Sequence, residues 1–264
     1  MGYNESVERL FALLHELESE YKLNARLMAR RFFKRCHFVG GLAERAQLEI
    51  DKALAPRFSV MDYISPDEMK ISAILADLLD PHGSHGQQTL FLESFLQRVS
   101  AQLTEDTRLE LYRLPETGVY REAATYKIEN VRRRIDIVMV NPGWVVGIEN
   151  KPWANEQEDQ LKDYRTHLEK AYPGKPVHIV YLPGDCSRAK SDKTDGKTTI
   201  TIGYNWSEVC CGAESKAFHL SDWLEETILD CNVDKIRHFL KDFLQWINRE
   251  FINHSPESGH RKII

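Results

Sequence analysis

Apolar positions along this chain change period several times, and each change marks an element. From about Glu5 to Phe38 they recur every three or four residues (Val7, Leu10, Phe11, Leu14, Leu17, Tyr21), which predicts a helix. Gly40-Gly41 is expected to break it, and a second helical stretch covers residues 42–54, ending near Pro56. Ser65-Pro66-Asp67-Glu68 reads as a helix start, with Ser at the cap, Pro in the first turn and Glu three residues after the Ser. The stripe Ile71, Ile74, Leu75, Leu78 and Leu79 follows, and Asp80-Pro81 stops it. The loop His82-Gly83-Ser84-His85-Gly86 leads into a further helix bearing Leu90, Phe91, Phe95, Leu96 and Val99.

The period then drops to two. Residues 118–126 read as a strand carrying Glu122. In the next strand Arg134, Asp136, Val138 and Val140 share one parity, and Ile135, Ile137 and Met139 share the other. Asn141-Pro142-Gly143 is a turn signal, and residues 145–151 (VVGIENK) return as a second strand. Residues 154–171 carry Leu161, Tyr164 and Leu168 on one helical face. Residues 176–182 (PVHIVYL) form the strongest candidate for a buried strand. A strand–helix–strand order predicts that it runs parallel to the strand at 145–151. After a polar loop at 183–197 come a short strand at 198–202 and helices at 222–229 and 233–251. From Asn253 there is no periodicity, and a mobile tail is expected.

These elements describe an α/β protein with a central mixed sheet flanked by helices. Its expected parts are a helical N-terminal extension (1–60), the α/β domain (61–252) and the tail (253–264). Hydrophobic residues at 42% and charged residues at 28% are ordinary for a globular chain of 264 residues. A net charge of -5 excludes binding nucleic acid by bulk charge, so a polyanion site has to be a local patch. Arg30-Arg31 to Lys34-Arg35 and Arg132-Arg133-Arg134 are the two basic runs, each also readable as a solvated face. The second enters the Asp136 strand. Cys36, Cys186, Cys210, Cys211 and Cys231 form no CxxC pair and are odd in number, which argues against a disulfide framework or a structural zinc site. With no apolar run of membrane-spanning length and no signal-peptide pattern, a cytoplasmic setting is expected.

The candidate chemistry sits at the hairpin. Glu149 and Lys151 are two residues apart on one strand and so project from one face, and the hairpin brings Asp136 alongside. Two carboxylates and a Lys between hydrophobic strands are costly to bury without a use for them. A divalent cation is one such use, because Mg²⁺ needs only one or two protein carboxylates plus waters and phosphate oxygens. Lys151 would then orient or deprotonate the attacking water and offset phosphate charge. The competing reading is an exposed Glu–Lys pair on an edge strand.

An Asp in an apolar strand, a turn and an apolar strand ending in Glu149-Asn150-Lys151 together resemble the PD-(D/E)XK nuclease superfamily, although Ile135 replaces the Pro before Asp136. The upstream segment DEMKISAILADLLDPHGSHGQQTLFLESFL is similar to the opening of PD-(D/E)XK family 4, and Gln160-Leu161-Lys162-Asp163-Tyr164 resembles the Q-x-x-x-Y motif of the RecB-like branch. The resemblance spans roughly residues 64–246. It implies a restriction-endonuclease-like fold and metal-dependent hydrolysis of nucleic acid, most often DNA, with Mg²⁺ (or Mn²⁺) as cofactor and a setting in defence or repair. By the same resemblance Asp136, Glu149 and the Asn150 carbonyl would hold metal, with Lys151 acting on water and Gln160 and Tyr164 supporting the site or touching substrate. Glu68 reads either as a capping-box residue or as a group beside the metal, and His85 either as a further ligand or as a loop residue. Glu122 is a candidate for one more acid near the metal, or an exposed strand residue. Arg132, Arg133 and Arg134 are candidate phosphate contacts. A silent module on the same fold, gripping nucleic acid or a protein without cleavage, is the alternative function.

Overall fold

The computed structural model describes residues 2–55, 58–105, 108–125, 133–154, 157, 159–184, 199–205 and 218–251. It divides into two compact units, residues 1–58 and 59–264. The expected strand residue Thr198, the tail from Asn253, Arg132, and Cys186, Cys210 and Cys211 lie outside the described residues.

The first unit is one helix, α1 (Gly2–Leu54). It passes through Gly40-Gly41 without the expected break. Each Gly costs roughly 1 kcal/mol relative to Ala in a helix, and runs of good helix formers such as Ala43-Glu44-Arg45-Ala46 on either side carry the helix across that penalty. It ends before Ala55, which has a positive φ of 43°.

The second unit opens with α2 (Val60–Ile64), capped by the Ser59 side chain. Ser65 closes α2 in a left-handed conformation, so it is not the cap of the next helix. The N-cap of α3 (Glu68–Leu79) is Asp67, whose carboxylate accepts from the Lys70 N–H at 2.8 Å. Glu68 therefore occupies the first helical position, and the capping-box reading of it fails. The helix α4 (Leu90–Ala101) follows.

A five-stranded sheet comes next: β1 (Gly118–Ala124), β2 (Arg134–Val140), β3 (Val145–Lys151), β4 (Val177–Pro183) and β5 (Ile200–Thr201), lying in that order. β1–β2 and β2–β3 are antiparallel, while β3–β4 and β4–β5 are parallel. The crossover expected between β3 and β4 is present, and it carries α5 (Gln160–Ala171). That helix starts at Gln160, six residues later than its apolar pattern suggested. Asn141 shapes the β2–β3 turn: its Oδ1 accepts from the Gly143 N–H at 2.9 Å, and its Nδ2 donates to Thr117 Oγ1 at 3.0 Å. The chain closes with α6 (Leu220–Asp230) and α7 (Asp234–Phe251).

Helices cover both faces. Ile137, Met139, Val146, Ile148, Val180 and Leu182 join the larger core with α3, α4, α6 and α7. Val138, Val145, Ile179 and Tyr181 pack with Leu161, Tyr164 and Leu168 of α5. This explains why β3 is buried almost throughout and reads as an apolar run rather than an alternation. Gly147 lets α5 approach, since a Cβ there would stand 2.9 Å from Leu168 Cδ1.

Candidate active site at the ends of β2 and β3

The last registered pair of the β2–β3 ladder is Ile137 with Ile148. One step further, where Asp136 comes opposite Glu149, side chains take over from the backbone. Asp136 Oδ2 accepts the Asn150 N–H at 2.7 Å. Directly opposed residues of an antiparallel pair project to the same side, so Asp136, Glu149 and Lys151 share the α5 face. The intervening Asn150 points the other way, into the larger core, and is fully buried. Its Nδ2 donates to the Glu68 carbonyl at 3.2 Å and to Ser72 Oγ at 3.0 Å, and its Oδ1 accepts from the buried Tyr204 hydroxyl. One Asn thus ties the end of β3 to the first turn of α3.

Glu149 is 1% exposed. Its Oε1 accepts from Gln160 Nε2 at 2.6 Å and lies 2.9 Å from Lys151 Nζ. Its Oε2 is buried without a hydrogen-bond partner among the described residues. Gln160 is fully used: its second N–H donates to the Tyr164 hydroxyl at 2.7 Å, and its Oε1 accepts from the Gln157 N–H at 3.2 Å. Tyr164 in turn donates to the Arg134 carbonyl at 2.6 Å. Being four apart on α5, Gln160 and Tyr164 form a brace between β2 and Glu149. Lys151 Nζ also donates to Glu68 Oε1 at 2.7 Å. The N-terminus of α3 therefore brings Glu68 to the hairpin.

Burial raises the Asp136 carboxyl to about 6, against the opposing pull of the Asn150 N–H and the Lys151 charge. Glu149 is pushed up to about 8, by burial first and then by the charge of Asp136. Burial alone would lower the Lys151 pKa, but the charge of Glu149 and hydrogen bonds to Glu68 and Glu149 outweigh it and leave it raised. Lys151 is therefore held as an ammonium in the metal-free protein. Burial also raises Tyr164 and Tyr204, so both hydroxyls stay protonated donors.

Among the described residues, no group of three or more His, Cys, Asp or Glu side chains is arranged to hold a metal. The donor set still suits a hard divalent cation: two carboxylates, one oxygen without a partner, and a charge repulsion that a cation would relieve. Both raised carboxyls give a signed expectation. The folded protein holds protons that the unfolded chain has released, so metal-free stability should fall as pH rises from about 4 to about 8. Added Mg²⁺ or Mn²⁺ should raise the melting temperature more at pH 8 than at pH 5, since protons compete at the lower value. Melting curves in EDTA and in each cation check both halves; a flat profile would count against the two carboxylates as described.

Other expected site residues are placed elsewhere. His85 is buried against Phe91, its Nε2 donating to the Asp80 carbonyl at 3.0 Å and its Nδ1 accepting the Gln87 N–H at 2.9 Å. Both ring nitrogens are spent on backbone groups, which leaves neither for a metal and corrects that expectation. Arg133 is half-buried and paired with Asp163 of α5 at 3.0 Å, with its Nη1 on Gln157. It anchors the start of β2 rather than presenting a free charge. Arg133→Ala should therefore cost about 1 kcal/mol of stability, and the salt dependence of DNA binding should stay unchanged, measured by denaturation and by titration at several salt concentrations. Arg134 is exposed and pairs with Glu122 at 3.2 Å.

Glu122 stands opposite Asp136 across the β1–β2 ladder, with a positive φ of 51° that interrupts the pairing there. Its charge adds to the repulsion on Asp136. Ser72 and Tyr204, which hold Asn150, were not singled out from the sequence. The only trace of Ser72 is a hydroxyl inside an apolar helical stripe.

The β2–β3 end of the mixed sheet thus gathers Asp136, Glu149 and Lys151, braced by Gln160 and Tyr164. A family model of the PD-(D/E)XK nuclease superfamily matches residues 57–250, and the chain belongs to that superfamily. Its members are nuclease-type hydrolases that generally use divalent metals. Neither curated protein sequences nor solved structures gave a match. Among the described residues, no helix is long and apolar enough to cross a membrane.

Proposed function

We propose that this protein is a Mg²⁺-dependent nuclease that hydrolyses phosphodiester bonds in DNA, with Mn²⁺ as a substitute cation. The observation that carries the reading is Glu149 Oε2, a buried carboxylate oxygen without a partner among the described residues, beside a second carboxylate and a protonated Lys. Leaving such an oxygen unsatisfied costs on the order of several kcal/mol. A retired site would be free to lose that cost, whereas a working one needs the lone pair. Asp136 and Glu149 would hold the cation, with the Asn150 carbonyl as a further ligand. When bound, the cation supplies Lewis-acid stabilisation of charge on the phosphate oxygens.

Lys151 orients the attacking water and offsets the charge that builds on the phosphate, acting as an ammonium donor throughout. Glu68 and Glu149 hold its Nζ in place. Gln160 fixes the Glu149 carboxylate, and Tyr164 locks Gln160 to β2. These two are positioning groups.

Incubating purified protein with linear, closed-circular and single-stranded DNA, and with RNA, in Mg²⁺, Mn²⁺ or EDTA tests the reading. Metal-dependent products from DNA are expected. DNA or RNA binding without cleavage in either metal would overturn it in favour of the silent binding module.

A further inference from the structure

We propose that α1 is a self-association element that pairs with the α1 of a second copy of this chain as an antiparallel coiled coil. A helix of 53 residues is far longer than a single helix needs in a globular fold. One face of it is apolar without interruption: Leu10, Leu14, Leu17, Tyr21, Ala25, Met28, Phe32, Cys36, Val39, Ala43, Ala46 and Ile50 follow in steps of three and four. That is the spacing of a coiled-coil seam, with two extra four-residue steps where the supercoil unwinds locally. The larger of these side chains lie open, with Leu17 60%, Tyr21 75%, Met28 75% and Phe32 62% exposed. A continuous apolar face of this length, left in water, marks an interaction surface.

Charge selects both partner and direction. Arg26, Arg30, Arg31, Lys34 and Arg35 form a basic segment, preceded by Glu16, Glu18 and Glu20. A parallel, in-register pair would set the basic segment beside its own copy, which is repulsive. In the antiparallel register that puts Leu10 opposite Val39, Leu14 opposite Cys36, Leu17 opposite Phe32 and Tyr21 opposite Met28, Ala25 meets its own copy near the two-fold axis. The same register sets Glu16 opposite Lys34 and Glu20 opposite Arg31, on one flank of the seam. Apolar match and charge match coincide in a single alignment of the helix with itself. That coincidence is the argument for a second copy over any other partner.

The test uses the full chain, freed of nucleic acid, in sedimentation equilibrium over a range of concentrations. A particle of twice the chain mass of 30.6 kDa is expected. Leu17→Glu with Met28→Glu should return it to the chain mass, with the thermal transition of the second unit retained as the check on folding. Glu16→Lys with Glu20→Lys, and separately Arg31→Glu with Lys34→Glu, should each weaken self-association. Mixing the two charge-swapped chains should restore a doubled mass, and it is the effect of each swap alone that reads direction, because a parallel pair sets like charges opposite each other before and after the swap. Leu14→Cys should form a disulfide to Cys36 of the second copy under mild oxidation, located by peptide mapping. A monomer at every concentration, as when α1 folds back on its own chain, overturns the proposal. So does a dimer indifferent to the seam substitutions, a mixture that stays monomeric, a Cys36–Cys36 crosslink, or association that begins only when nucleic acid is added to the basic segment. None of these readouts depends on cleavage, so the proposal stands or falls apart from the nuclease reading.

Discussion

Lys151→Ala is expected to slow DNA cleavage by roughly two to four orders of magnitude, about 3 to 5 kcal/mol of transition-state stabilisation. Affinity for Mg²⁺ and for DNA should stay within a few-fold. The reason is that Lys151 is an ammonium wedged between Glu68 and Glu149, where it can donate a hydrogen bond and positive charge but cannot ligate a cation. Removing it takes a positive charge away from Glu149, so cation affinity is expected to hold or rise. Single-turnover cleavage of a labelled duplex measures the first half, and isothermal titration with Mg²⁺ the second. If metal binding is lost together with activity, Lys151 is holding the carboxylates in place and the assigned role is wrong. An unchanged rate would return Glu149-Asn150-Lys151 to the reading of an incidental charge pair.

Asp136→Asn and Glu149→Gln should each reduce cleavage to background and abolish measurable Mg²⁺ binding. Glu149→Gln is the sharper of the two. A Gln there keeps an oxygen for the Gln160 amide, so the brace from α5 survives while the anionic oxygen lacking a partner disappears. The metal-free variant should be more stable than the wild type at pH 8, by an amount on the order of a few kcal/mol, because it no longer has to ionise a carboxyl raised to about 8. The difference should shrink towards pH 5, where the wild-type carboxyl is already protonated in the folded state. Chemical denaturation at the two pH values reads this directly. Full activity in either variant would remove the pair of carboxylates from the proposed chemistry.

Much of this site was readable from local pattern. Asp136, Glu149 and Lys151 could be placed together because β-strand parity and an Asn-Pro-Gly turn are short-range rules, and the turn aligns one strand on the other. Gln160 and Tyr164 were visible as a pair four apart, although Ala154, Gln157 and Asp159, which lie outside the helix, were given to it. The loss of His85 as a ligand was not readable. Its two nitrogens are claimed by backbone groups of its own loop, and a loop's internal hydrogen bonds have no periodic trace. Arg133 is a similar case: a basic run looks the same in sequence whether it meets solvent, phosphate or, as here, Asp163 on a helix 30 residues away.

By itself, then, the sequence determined the α/β class, the mixed sheet with its parallel β3–β4 crossover and the three charged residues of the hairpin. All of these follow from period, turn chemistry and connection handedness, which act over a few residues or within one βαβ unit. Only the tertiary structure decided that Glu68 sits against Lys151, that Asn150 is locked by Ser72 and Tyr204, and that Glu149 keeps one oxygen without a partner among the described residues. Those contacts join residues more than 50 positions apart. They depend on how α3 docks across the sheet, and the energies that matter there, desolvation and the pairing of buried charges, come into being only when the water is gone.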